Sequence, residues 1–191
     1  MTTKSAFSVV GLAHKVCLSA EEQGYTPELL NSLAENSDLF RQLLQVQRGY
    51  AEMKLIKHVI DCDANPFVPD GWKVEEHQKG GQFVWDASKV QLYLSDGQKN
   101  GKVIEGNKLR KELAGKPVLN ANVLDHLLAN LHLIPEEWKG KLIFFWGTIY
   151  RSSGGILYVR CLFWDGGRWG WRCVWLDGDW SGHSPVALRA S

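Results

Sequence analysis

Residues 143–176 read IFFWGTIYR SSGG ILYVRCLFW DGG RWGWRCVWL, a pattern with a period close to two residues. Successive side chains on a β-strand point to opposite faces, so a period of two predicts strands. We predict three of them: Ile143–Tyr150, Ile156–Trp164 and Arg168–Leu176. The connections SSGG and DGG have the composition of hairpin turns. The segment therefore predicts an antiparallel meander, or a small open barrel if upstream strands join it.

Tryptophan is concentrated in this part of the chain. Six of the nine tryptophans lie in the last quarter, at positions 146, 164, 169, 171, 175 and 180. On an extended strand Trp169, Trp171 and Trp175 share one face, which is either a packed core or an aromatic platform. Core packing is the favoured interpretation for these three, because tryptophan is highly buried on average. Trp164 and Trp180 flank turns, and we expect them to be partly exposed.

The sequence upstream of the meander is mainly helical. Residues 5–52 have helical periodicity, with start signals at Thr26-Pro27-Glu28 and at Ser37-Asp38. The middle of the chain predicts strands at Leu55–Cys62 and Val90–Leu94, although Asp86 could equally start a helix, and helices at Glu105–Leu113 and Leu119–Leu133. The prediction is an α+β fold. A helical segment, residues 1–52, precedes an α+β domain, residues 53–191, whose antiparallel sheet covers residues 142–180.

Composition and charge limit the classes of function. The chain has 191 residues, 22 of them basic and 21 acidic, with a net charge of +1. A balance of this kind argues against a polyanion binder that works through bulk charge alone. Residues 140–191 hold six basic and three acidic residues, so the tryptophan-rich end is the positive end.

The cysteines and the N-terminus bear on the compartment. The four cysteines form no CxxC pair and no zinc-finger spacing, so a structural zinc site is not expected. Cys161 and Cys173 lie on neighbouring predicted strands and could form a disulfide, but free thiols are favoured because no export signal accompanies them. The apolar patch Ala6–Leu12 is too short to span a membrane. We therefore expect a cytoplasmic protein without a membrane anchor.

Catalytic motifs are scarce. The sequence has no GxSxG, GxxxxGK[ST], HExxH or GxGxxG motif leading into a helix. Asp61 and Asp63 share a strand face and His77 follows nearby, a set that could hold a divalent cation. The alternative, which we favour, is that both aspartates cap turns by accepting backbone N–H bonds. No cofactor is predicted.

Several longer motifs carry a resemblance. They are IDCDANPFVPDGW at residues 60–72, VEEH at 74–77, EGNKL at 105–109, LNANVLD at 119–125, IPEEWKGK at 134–141 and WGTIYR at 146–151. In these motifs the chain resembles an uncharacterised family of bacterial proteins, from about residue 40 to its end. The resemblance implies a bacterial, intracellular protein. It supplies no catalytic residue.

The sequence favours a non-enzymatic binding module over an enzyme. Trp, Tyr and Arg dominate binding hot spots, and the terminal sheet contains all three. The predicted contact residues are Trp164, Trp169, Trp171, Arg172, Trp180 and Arg151. We expect a macromolecular partner, with a protein ahead of nucleic acid because the net charge is near zero. The alternatives are single-stranded nucleic acid stacked on the same aromatic face, and a metal-dependent hydrolase or nuclease centred on Asp61 and Asp63.

Overall fold

A six-stranded sheet dominates the C-terminal part of the computed structural model, which describes residues 9–53 and 56–190. The chain divides into two compact units, Met1–Ile56 and Lys57–Ser191. The predicted helical start at residue 5 and the predicted strand residue Leu55 lie outside the described residues. None of the described helices has the length and apolar character needed to cross a bilayer.

The first unit is helical. It contains α1 (Val9–Glu22), α2 (Pro27–Glu35) and α3 (Ser37–Gln47). The hydroxyl of Thr26 accepts a hydrogen bond from the Leu29 amide at 3.3 Å, and Asn36 caps α3 in the same way at 3.0 Å. These caps satisfy amides that have no partner inside the helix, which is why the helices begin there. The predicted start at Thr26 is confirmed.

The second unit mixes strands with short helices. Its strands are β1 (Val59–Asp61), β2 (Lys73–His77), β3 (Gln82–Val84), β4 (Val90–Tyr93), β5 (Ile104–Glu105), β6 (Ile143–Arg151), β7 (Leu157–Asp165), β8 (Arg168–Trp175), β9 (Asp179–Trp180) and β10 (Val186–Arg189). Its α-helices are α4 (Gly106–Glu112) and α5 (Ala121–Ala129). Single 3₁₀ turns cover Ala87–Lys89, Asp96–Gln98, Leu131–Leu133 and Glu136–Trp138. The α+β class is confirmed.

The main sheet has the order β4-β10-β6-β7-β8, and β2 pairs with the second half of β6. Strands β6, β7 and β8 form the predicted antiparallel meander. The sheet does not close into a barrel, and β4, β8 and β2 each have a single partner strand in the described part of the chain. Strand β10 was not predicted. It lies inside the sheet, antiparallel to β4 and parallel to β6.

Both faces of the sheet are packed. Ile143 and Phe145 of β6 belong to a buried cluster with α5, whereas Phe144 and Trp146 of the same strand belong to a second cluster that includes Leu109 of α4. The alternation of β6 between the two clusters shows that they lie on opposite sides of the sheet. The meander is therefore the middle layer of this unit, and its last strand, β8, has a strand partner on one side only among the described residues.

Some predicted boundaries differ from the observed ones. The helix predicted for Leu119–Leu133 ends at Ala129, and a separate 3₁₀ turn follows after Asn130. The ambiguous segment at Asp86 contains both predicted alternatives, because a 3₁₀ turn capped by Asp86 leads directly into β4.

Candidate functional site

Strand β8 pairs with β7 over eight consecutive residues, from Arg168 opposite Asp165 to Trp175 opposite Tyr158. Its other side has no strand partner among the described residues. Leu176 donates its amide to the Leu157 carbonyl at 2.9 Å in the same register. Hydrogen-bonded pairs alternate along an antiparallel ladder, so every second residue from Leu176 backwards bonds to β7. The backbone groups of Trp169, Trp171, Cys173 and Trp175 therefore point away from the sheet.

Two of these four residues, Trp171 and Trp175, contribute their side chains to an exposed aromatic surface. Trp171 is 38% exposed and Trp175 is 53% exposed, so the favoured interpretation of these two as packed core residues was wrong. Next to them, the ring of Trp72 packs on Tyr158 at 4.5 Å, and Phe67 meets Trp171 edge-on at 5.6 Å. We call this group the aromatic face: Phe67, Trp72, Tyr158, Trp171 and Trp175. It joins the loop after β1 to the open edge of the sheet.

Trp164, Trp169 and Trp180 lie in different environments. Trp169 is half-buried, packs on the α5 side of the core and meets Trp164 at 5.2 Å. Lys139 covers the half-buried Trp164 ring, with its Nζ 4.1 Å from the centroid. The expectation that Trp180 is partly exposed was wrong, because only 1% of it is exposed. Strand β9 pairs with β5 and holds its ring 4.2 Å from that of Phe144.

A buried arginine supports the aromatic face from below. Arg160 of β7 is 1% exposed, and its guanidinium donates to both Asp125 carboxylate oxygens at 2.7 and 3.0 Å. It lies 4.2 Å from the ring centroid of Trp171 and 5.2 Å from that of Phe67. A bidentate ion pair fixes the guanidinium plane, and cation–π attraction holds both rings against it. The Trp171 ring is therefore fixed in its orientation at the protein surface.

The loop that contributes Phe67 is also fixed. The hydroxyl of Tyr150 donates to the Phe67 carbonyl at 3.0 Å. Burial raises the pKa of Tyr150 to about 12, so its phenol stays protonated and remains a donor at neutral pH. This hydrogen bond ties the loop to β6.

The opposite face of the edge strand is basic. The side chains of Arg168 and Arg172 are exposed and share the face that β8 turns away from the indoles. The Arg172 guanidinium lies 5.3 Å from the Phe163 ring. Neither arginine forms a salt bridge with a residue in the described part of the chain. Trp171 and Arg172, both predicted contact residues, are therefore presented on different faces of one strand.

Arg151, another predicted contact residue, makes its hydrogen bonds to residues outside the edge strand. Its Nε and Nη2 each donate to a Glu75 carboxylate oxygen at 2.7 Å, and its Nη1 donates to the Gly155 carbonyl at 2.8 Å. These hydrogen bonds hold the pKa of Glu75 below its usual value. Arg151 thus ties β6 to β2 and stands apart from the edge strand.

The acidic residues weighed as a metal site have structural partners. Asp61 accepts the Asp63 amide and Asp63 accepts the Gly81 amide, both at 2.9 Å. His77 lies between the Thr148 hydroxyl at 2.9 Å and the Cys62 carbonyl at 3.1 Å. The turn-capping interpretation of the two aspartates is confirmed. Across residues 9–53 and 56–190, no three His, Cys, Asp or Glu side chains are placed to hold a metal ion.

Sequence reasoning missed the three residues that support the aromatic face, which are Asp125, Arg160 and Phe67. A signal existed, because Arg160 is a cation inside the apolar run ILYVRCLFW and a buried cation requires a carboxylate. It also missed three neighbouring imidazoles. The ring centroid of His58 is 5.4 Å from that of His126 and 5.6 Å from that of His132.

Comparison of the chain with protein-family models, curated proteins and solved structures finds no match.

Proposed function

We propose that this chain is a non-enzymatic protein-binding module that captures an extended segment of its partner as an additional strand beside β8. The observation that carries the proposal is the coincidence of two properties on the same residues. Trp169, Trp171, Cys173 and Trp175 have outward-pointing backbone groups, and three of the four are tryptophans. Strand addition uses main-chain hydrogen bonds for affinity and alternate side chains for specificity.

Preorganisation strengthens the proposal. An unpaired edge attracts other strands, and proteins commonly blunt such edges with proline or bulges. Strand β8 has no proline, and its register with β7 is unbroken over all eight residues. The Arg160 guanidinium holds Trp171 before any partner arrives. A ring already held in place loses little conformational freedom on binding.

Single-stranded nucleic acid is the alternative ligand for the same aromatic face. Exposed indoles can stack on bases, at about 1–3 kcal/mol per base. Nucleic-acid grooves place the cations beside the rings, where the phosphates run. Arg168 and Arg172 instead share the face opposite the tryptophans. A protein partner is therefore the better fit.

A metal-dependent hydrolase or nuclease centred on Asp61 and Asp63 is the candidate of a different class. The Oδ1 atom of each carboxylate already accepts a backbone amide. No contact of the described residues favours this function, so we rank it last.

For the setting, we propose the cytoplasm of a bacterium, following the sequence resemblance. The disulfide between Cys161 and Cys173 that the sequence left open does not form. Cys161 lies opposite Arg172 and Cys173 opposite Arg160, so the two thiols point to opposite faces of the sheet and cannot pair.

The test removes one outward donor without changing the sheet. Peptides that bind the full chain are first selected from a displayed library of random ten-residue sequences. Their affinities are then measured for Cys173→Ala, which keeps the amide, and for Cys173→Pro, which lacks it. Proline is tolerated where an edge strand turns its N–H to solvent. We expect Cys173→Ala to bind as wild type and Cys173→Pro to bind about fivefold more weakly, the effect of one lost hydrogen bond.

Two outcomes oppose the proposal. Equal binding by Cys173→Pro and Cys173→Ala would place the peptides away from the edge. A library that yields no binder, together with tight binding of an oligodeoxythymidylate, would favour nucleic acid instead. Circular dichroism melting of both variants confirms that the sheet has survived the substitution.

A further inference from the structure

The positions of Arg168 and Arg172 on β8 indicate the chemistry of the segment that would pair with this strand. Arg168 and Arg172 lie on the same face, four residues apart, and are exposed. Four residues of strand span about 13 Å. Between them, Gly170 has no side chain, and the Phe163 ring of β7 fills the space beside it, 3.4 Å from where a Cβ would stand. This face therefore presents two cations that have no salt bridge with any residue the structure describes, separated by an apolar gap.

Strand pairing converts this spacing into a pattern for the partner. Residues directly opposite each other across an antiparallel pair share a face. The positions facing Arg168 and Arg172 are therefore also four residues apart, and the position between them faces Gly170. The two remaining positions face Trp169 and Trp171 on the aromatic side. The pattern is the same in either direction along the strand.

We infer that the partner segment is acidic, with Asp or Glu at two positions four residues apart and apolar side chains at the second and fourth positions of that five-residue motif. The inference rests on the proposed strand addition. Carboxylates at the outer positions would pair with Arg168 and Arg172, whose cations have no carboxylate partner among the described residues. Apolar side chains between them would pack on the indoles of Trp169 and Trp171.

A second copy of the chain does not satisfy this pattern. Two β8 strands paired antiparallel about a two-fold axis would place Arg172 opposite its own equivalent, opposite Arg168 of the second copy, or opposite an uncharged residue such as Gly170. Like charges opposite each other are destabilising. The chain also cannot supply the motif itself, since no two of its 21 acidic residues are four positions apart. The occupant is an acidic segment of another protein.

The experiment is a charge exchange at the edge. Two peptides are compared by fluorescence titration, one built around Glu-Val-Thr-Val-Glu and one around Lys-Val-Thr-Val-Lys. Wild type is expected to prefer the glutamate peptide by roughly tenfold in low salt, the effect of two exposed charge pairs. The Arg168→Glu/Arg172→Glu variant is expected to prefer the lysine peptide. Lys15→Glu/Arg48→Glu changes the net charge equally at exposed positions of the helical unit and should keep the wild-type preference.

The outcomes separate this inference from the proposed function. Equal binding of both peptides by wild type, with binding still weakened in Cys173→Pro, would overturn the acidic pattern and leave strand addition intact. Failure of wild type to bind the glutamate peptide would also overturn the inference. In that case the affinities of the library peptides for Cys173→Ala and Cys173→Pro still test strand addition, because those peptides need not be acidic. If the Arg168→Glu/Arg172→Glu variant still prefers the glutamate peptide, the two arginines do not determine which peptide is bound, and the inference is wrong.

Discussion

Replacing Asp125 by alanine should destabilise the second unit by about 3 kcal/mol. The change leaves the Arg160 guanidinium, which is 1% exposed, without the carboxylate that accepts two of its hydrogen bonds. Removing one partner of a buried ion pair costs about 3–5 kcal/mol, because the remaining charge stays desolvated. The Asp125 side chain is itself 35% exposed, which places the expected cost at the lower end of that range.

The measurement is urea unfolding followed by tryptophan fluorescence and circular dichroism, with thermal melting beside it. A loss of about 3 kcal/mol corresponds to a decrease in Tm of about 10 °C for a domain of this size. Asp70→Ala is the matched control, because Asp70 is exposed and its carboxylate has no hydrogen bond among the described residues. It should change stability by no more than about 0.5 kcal/mol.

A second variant isolates the charge. Adding Arg160→Met to Asp125→Ala removes the buried cation, and the double variant should be more stable than Asp125→Ala alone. A cost below about 1 kcal/mol for Asp125→Ala, or no recovery in the double variant, would refute the reasoning. Either result would show that Arg160 is not held as a buried charge beneath Trp171.

Three further predictions address packing, pH and thiol reactivity. Gly147→Ala should cost about 1–3 kcal/mol by urea unfolding, since its Cβ would lie 2.9 Å from the Asn120 backbone. Gly154→Ala should be neutral, because its Cβ would make only an ordinary contact with Ser152 Oγ at 3.8 Å. Burial and a neighbouring imidazole lower the pKa of His126, so the unfolded chain binds more protons than the folded one. Stability should therefore fall as pH decreases below about 6.5, and its pH profile should be flatter for His126→Gln. An unchanged profile in that variant would count against this assignment. A maleimide should label exposed Cys17 well before buried Cys161, whose pKa burial raises to about 11, and equal rates by mass spectrometry would contradict the packing.

The meander could be predicted because its information is local. The period of two and the glycine turns determine strands β6 to β8 without knowledge of the rest of the chain. Strand β10 could not be predicted in this way. Its four residues, Val186–Arg189, are a short apolar run, and their place between β4 and β6 depends on strands that are distant in sequence.

The candidate site was predictable in composition and not in exposure. Spacing correctly placed Trp169, Trp171 and Trp175 on one face, but their burial depends on which strand is the edge of the sheet. Trp180 was misjudged for the same kind of reason, because its burial follows from the pairing of Trp180 with Ile104, far upstream in the sequence. Tertiary pairing of this kind leaves no trace in a short sequence window.

The most direct test of the central claim is backbone amide hydrogen exchange along β8, measured by NMR with and without a bound library peptide. In the free chain, the amides of Arg172 and Val174 should exchange slowly, because their ladder bonds go to β7, and those of Trp171 and Cys173 should exchange fast. The peptide should slow exchange at Trp171 and Cys173. Protection of these two amides in the free chain, or fast exchange that persists in the complex, would contradict strand addition.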